Sequence, residues 1–143
     1  MAKAGRILLR ILLGISALPF VLTALYILFE IVGAAVNHAA GGIQTDRFAE
    51  YAEEKGFEII GTDTFVGNSG NGNHVDLITK VFVKADCAVE DAEAAVSSYE
   101  GIVEVYKPDG DELAKAEIAA APEEVLTLWL FCSAPFADNI EGH

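Results

Sequence analysis

The sequence predicts an α+β protein: a single N-terminal transmembrane helix followed by a small, mostly antiparallel sheet packed with two or three helices. Three observations carry that expectation. Residues 11–29 run for 19 positions without a charge. Residues 75–85 alternate apolar and polar side chains with the period of a half-buried strand. Residues 125–132, VLTLWLFC, form a continuous apolar run whose length and β-branched and aromatic content suit a strand covered on both faces. The expected organisation is a tip and anchor helix over 1–40, a Gly-containing linker over 41–44, and an acidic domain over 45–143.

The anchor comes first. A helix rises about 1.5 Å per residue, so Ile11–Phe29 nearly spans a hydrocarbon core of roughly 30 Å. Lys3, Arg6 and Arg10 precede it, and no Lys or Arg follows until Arg47. The positive-inside rule then puts the N-terminus in the cytoplasm and residues 41–143 outside. Glu30 falls near the outer interface, where Tyr26 and Phe29 suit an aromatic belt. Pro19 should kink the helix. A cleaved signal peptide is the competing reading. Its apolar region usually covers about 7–15 residues, and the exit VNHAAGG offers Asn37 or His38 where a small residue is wanted. A retained signal-anchor fits better than either a cleaved peptide or a buried soluble helix. Ala35 and Ala39 have the spacing of close helix contacts, but alanine is also ordinary apolar filler.

Gly41-Gly42 reads as a flexible joint, after which Thr45 caps a helix over 46–55 that ends at Gly56. Residues 57–66 read as a strand with Gly61 a candidate bulge. Residues 67–74 are a loop and 75–85 a second strand, the pair forming a long-looped hairpin. Val75, Leu77, Val81 and Val83 point one way; Asp76, Lys80 and Lys84 point the other. A helix over 88–99 carries the stripe Val89, Ala92, Val96 and Tyr99, with Glu90, Asp91 and Glu93 at its positive end. Gly101 stops it. Residues 102–107 form a third strand and Pro108-Asp109-Gly110 a turn. Residues 111–121 favour a short helix, with a strand over 114–119 the alternative. Helices cover one face of the final strand, so a further layer, a partner or a second copy must cover the other.

Composition narrows the function classes. Hydrophobic content of 52% and mean hydropathy of +0.37 are too high for a disordered chain. Residues 41–143 hold 21 acidic and six basic residues, a net charge of −15. Nucleic acid is therefore not an expected partner, since its binders present basic footprints. Such a charge favours cationic partners, and it is also simply the mark of a well-solvated surface.

The chemical inventory is sparse. Cys87 and Cys132 both lie just past expected strands, and a disulfide and two free thiols are the alternatives. No Cys-x-x-Cys is present to suggest a redox pair. Gly67-Asn68-Ser69-Gly70-Asn71-Gly72-Asn73-His74, followed by Asp76, is the most unusual stretch. Asn68, Asn71, Asn73, His74 and Asp76 are the candidate ligand or partner residues, against a plain turn-forming loop. The glycines match neither a Walker loop nor a dinucleotide fingerprint. Ser69 near His74 lies in a glycine loop, a poor place to hold catalytic geometry. Acid pairs such as Glu53-Glu54, Asp109/Asp111 and Glu123-Glu124 sit at helix ends and turns. Trp129 is expected in the core. No catalytic residue, metal site or cofactor is assigned. The expected partners are the bilayer, through Ile11–Phe29, and a protein or a second copy. The leading expectation is a protein-binding or accessory subunit of an envelope complex. An inhibitor or immunity-type protein against a basic partner, and a small-ligand or enzyme site at residues 67–76, are the alternatives.

Overall fold

The computed structural model describes the backbone of residues 2–70 and 74–136, with side chains from Gly5 onward. Helix α1 spans Ala2–Glu54 and holds 53 residues, with Pro19 inside it. It is long and apolar enough to cross a membrane once. Large apolar side chains along it, from Ile7 to Val36, are exposed. The strands β1 (Ile59–Gly67) and β2 (Asp76–Lys84) follow, then helix α2 (Val89–Val96), strand β3 (Ile102–Tyr106), helix α3 (Gly110–Lys115) and strand β4 (Val125–Ser133). The sheet order is β1-β2-β4-β3, and every neighbouring pair is antiparallel. The α+β expectation is met.

Two expectations about the joint are corrected. Gly41 and Gly42 do not form a linker, and Thr45 does not start a second helix; α1 runs through all three. Helix interiors tolerate glycine at a cost of about 1 kcal/mol against alanine, so the pair weakens the helix without ending it. Packing explains Gly41. A Cβ there would stand 2.9 Å from Val66 Cγ2 and 3.1 Å from Thr64 Cγ2. The glycine is where α1 closes onto the hairpin. Thr45 lies one turn further on, and its hydroxyl bonds those of Thr64 (2.6 Å) and Thr79 (3.0 Å). Gln44 adds a bond from Nε2 to Thr79 Oγ1 at 3.2 Å. The buried polar groups between helix and hairpin thus satisfy one another.

Beyond this polar belt the helix side of the sheet is apolar. Phe48 and Ala52 of α1 and Ala92 and Val96 of α2 pack on Val81, Val83, Leu126 and Leu128. Full burial of Phe48 is worth about 1.5–3 kcal/mol. Its ring lies 4.8 Å from that of Tyr99. The alternation read for residues 75–83 places the inward set correctly. α1 ends in a Schellman motif: Gly56 has φ 92°, its N–H bonds Glu53 O, and Phe57 N–H bonds Ala52 O. The expected bulge is present, as the β1–β2 register shifts between Ile59 and Gly61.

α3 is shorter than expected but is a helix, since Asp109 caps it by accepting from Glu112 N–H at 2.7 Å. It lies on the opposite side of the sheet from α1. Leu113, with Ile118 beyond it, packs on Phe82 and Val125 there.

A continuous helix and a flexible joint respond differently to substitution at the two glycines. Gly42 has open space around its missing Cβ. Gly42→Ala should raise the urea midpoint by the equivalent of about 0.5–1 kcal/mol. Gly41→Leu should lower it by about 1–3 kcal/mol through overpacking against Val66. Equal, negligible shifts at both positions would point to a free joint.

Candidate functional site

The 67–76 loop joins β1 to β2 at the end of the sheet that faces the apolar half of α1. Its organiser is Asp76, which is fully buried. Oδ2 accepts from the Ser69 backbone N–H at 3.1 Å and from the Ser69 hydroxyl. His74 Nε2 stands 2.9 Å from Oδ1, a close polar contact without the alignment of a hydrogen bond. Asn68 Oδ1 accepts from Gly70 N–H at 2.6 Å, a side chain closing its own turn. Asn71 and Asn73 lie outside the described residues. The structure therefore brings Asn68, Ser69, His74 and Asp76 together, but the carboxylate sits between the hydroxyl and the imidazole. A serine nucleophile needs the imidazole in the middle, to take its proton. This arrangement ties Ser69 and His74 to the first residue of β2.

Of the two alternatives for the cysteines, the structure has the free thiols. Cys87 is exposed and free just past β2; Cys132 is half-buried and free near the end of β4. Lys84 pairs with Val125 and Leu77 with Cys132, so the thiols sit toward opposite ends of the sheet. Seven residues of strand separate those levels, roughly 23 Å, far beyond disulfide reach. Cys132 lines a groove of ≈ 680 Å³ between α1 and the turn after α2, with Ile43, Arg47 and Tyr99. Burial, then the charge of Glu100, pushes its thiol above the usual range. A thiol so held is a weak nucleophile at neutral pH.

The outer face of the sheet, away from α1, divides into two halves. The half nearer Lys84 is covered. Phe82 and Thr127 are buried beneath α3 and the chain after it. Glu112 fastens α3 there, accepting at Oε1 from Lys80 Nζ at 2.6 Å and from the Tyr106 hydroxyl at 2.8 Å. Burial, then the Glu112 carboxylate, drives the Tyr106 phenol far above its ordinary range. Among the described residues the other half has no such cover. The register sets Phe65, Ile78, Phe131 and Ile102 side by side, one from each strand. Phe65 is 44% and Ile102 57% exposed. Trp129, expected in the core, is half-buried on this same face and stacks on Phe131 with ring centroids 5.9 Å apart. Asp63 and Glu104 flank it on the edge strands in the Asp63–Lys80–Trp129–Glu104 row.

That apolar row was not singled out from the sequence. The signal lay in residues 75–85, where Ile78 and Phe82 interrupt the polar set Asp76, Lys80 and Lys84. Among the described residues no group of three or more His, Cys, Asp or Glu is placed to hold a metal ion. A second cavity, of ≈ 690 Å³ at the far tip near Lys84, is ringed by Asp86, Glu117, Glu123 and Glu124. Lys84 there pairs with Glu58. No family model, curated protein or solved structure matches this chain.

Two measurements follow from the titrating groups. Tyrosine in an unfolded chain ionises near pH 10, where folded Tyr106 still holds its proton. The unfolded state therefore binds fewer protons above about pH 10, and stability falls as pH rises. Tyr106→Phe should flatten that alkaline limb in urea melts taken across the range. Maleimide at neutral pH should modify Cys87 well before Cys132, read by peptide mass spectrometry. A peptide pair linked through Cys87 and Cys132 would contradict the fold.

Proposed function

We propose that this protein is a single-pass, membrane-anchored adaptor that docks a protein partner on the open half of its outer sheet face. One observation carries the reading: the in-register row Phe65–Ile78–Phe131–Ile102 with Trp129 beside it. A contiguous apolar surface on a strongly acidic domain has a cost in water that a partner removes. Aromatic residues with an acidic rim suit a partner whose own apolar patch is bordered by Lys or Arg. Asp63 and Glu104 supply that rim locally, and the −15 charge of residues 41–143 supplies it at longer range.

The rest of the reading is the address. The exposed apolar stretch of α1 supports a retained anchor. Lys3, Arg6 and Arg10 before it support a cytoplasmic N-terminus with the sheet domain outside. An accessory subunit of an envelope complex is the role that joins anchor and docking face. The small-ligand reading of the 67–76 loop gains nothing from the geometry, because Asp76 is engaged by Ser69 and His74. The inhibitor reading shares the docking face and differs in salt dependence.

The test is photo-crosslinking from position 129 in the full-length protein, in native membranes, with adducts identified by mass. A discrete heterologous adduct is expected. Phe65→Lys and Ile102→Lys, both on exposed positions, should each weaken it by about tenfold or more. An unchanged adduct in both variants, or only a doubled mass of the chain itself, would remove the proposal. Loss of the adduct with a modest rise in salt would favour the inhibitor reading over the adaptor.

A further inference from the structure

The buried stripe of α1 begins well before the sheet does. Glu30, Gly33, Asn37, Gly41, Thr45, Phe48 and Ala52 are buried at spacings of three and four, one face of a single helix. From Gly41 onward that face meets the hairpin and the core. Asn37 meets the chain that leaves β4. That chain first bonds the hairpin, Ala134 N–H to Val75 O at 2.9 Å. It then turns onto α1. Asn37, fully buried, donates from Nδ2 to Phe136 O at 2.9 Å and accepts at Oδ1 from Phe136 N–H at 3.0 Å. Both backbone groups of one residue are thus held by one amide side chain. The Phe136 ring reaches further down, to 5.0 Å from the ring of Phe29.

Phe29 is the last residue of the charge-free run and remains 54% exposed, while Phe136 is half-buried. The strap 134–136 therefore lies beside the end of the expected span. Paired aromatic rings with one exposed side are the composition of a bilayer interface, where rings settle at headgroup depth. In water, this pair would leave apolar surface uncovered at a point where the helix surface around it, Ile31 and Val32, is also exposed and apolar. We propose that Phe136 and Phe29 form a second membrane contact, seating the strap in the outer interface of the bilayer. The domain then stands on the lipid surface in one orientation. Its partner is the interfacial zone of a lipid bilayer. This inference rests on the reading of α1 as a membrane span.

The test keeps the two readings apart. Trp129 is the single native tryptophan, so Trp129→Phe provides a silent background. In that background, Phe136→Trp and Leu18→Trp are reconstituted separately, as full chains, in phosphatidylcholine vesicles brominated at shallow or deep acyl positions. Leu18 is an exposed residue inside the span, and an aromatic exchange at half-buried Phe136 preserves the fold. The expected result is strong quenching of position 18 by deep bromines. Position 136 should show blue-shifted emission and lose most of its intensity to shallow bromines only. Quenching at 18 with solvent-like, unquenched emission at 136 would overturn the interfacial contact and leave the span intact. If position 18 escapes quenching, the span reading itself fails and the strap proposal falls with it.

Discussion

The structure depends on one close approach. At Gly41 the backbone of α1 comes so close to Val66 and Thr64 of the hairpin that any Cβ there would force those side chains to shift. Because the helix can reach the sheet there, it continues for more than three turns as a core element, carrying Phe48 and Ala52 beneath β2 and β4. The helix that bears the apolar segment is therefore also the principal cover of the sheet. One continuous helix carries both the exposed apolar stretch and the stripe that covers the sheet.

That continuity has mechanical consequences. A domain on a glycine linker would sample many orientations, whereas a domain built on the same helix has one. The threonine and glutamine bonds at Thr45, Thr64, Thr79 and Gln44 secure it, and the Asn37 clasp on Phe136 adds a second attachment lower on the helix. The edge strands β1 and β3 and the apolar row between them thus have a defined relation to α1. On the proposed reading, a docking face held in a fixed direction to its anchor loses less orientational freedom on binding.

The outer face owes its asymmetry to α3. Six residues of helix, capped by Asp109 and held by Glu112 to Lys80 and Tyr106, cover one half of the sheet and stop. Much of this was legible beforehand. The strands, their alternation, the bulge at Gly61 and the α2 stripe follow from residue types a few positions apart. VLTLWLFC was legible as a strand; that α3 of the same chain covers part of its second face was not. The row Phe65–Ile78–Phe131–Ile102 was not legible either, because it takes one residue from each of four strands and depends on their order. Of the loop residues singled out, His74 and Asp76 do come together, but with Ser69 on the same carboxylate. Sequence proximity suggested the group; only the geometry showed which of its members occupies the centre.

By itself the sequence determined the apolar helix, the acidic remainder and the α+β succession, since hydropathy and periodicity are sums over neighbouring residues. Tertiary structure alone decided whether Gly41-Gly42 would bend, where Cys87 and Cys132 would lie, and which half of the outer sheet face α3 would cover. Glycine is compatible with helix and with joint at similar local cost, so distant Val66 settles the matter by offering a surface to pack on. The cysteines likewise carry no local preference. Strand pairing places them at opposite ends, because registry between remote segments is fixed by side-chain burial across the whole sheet.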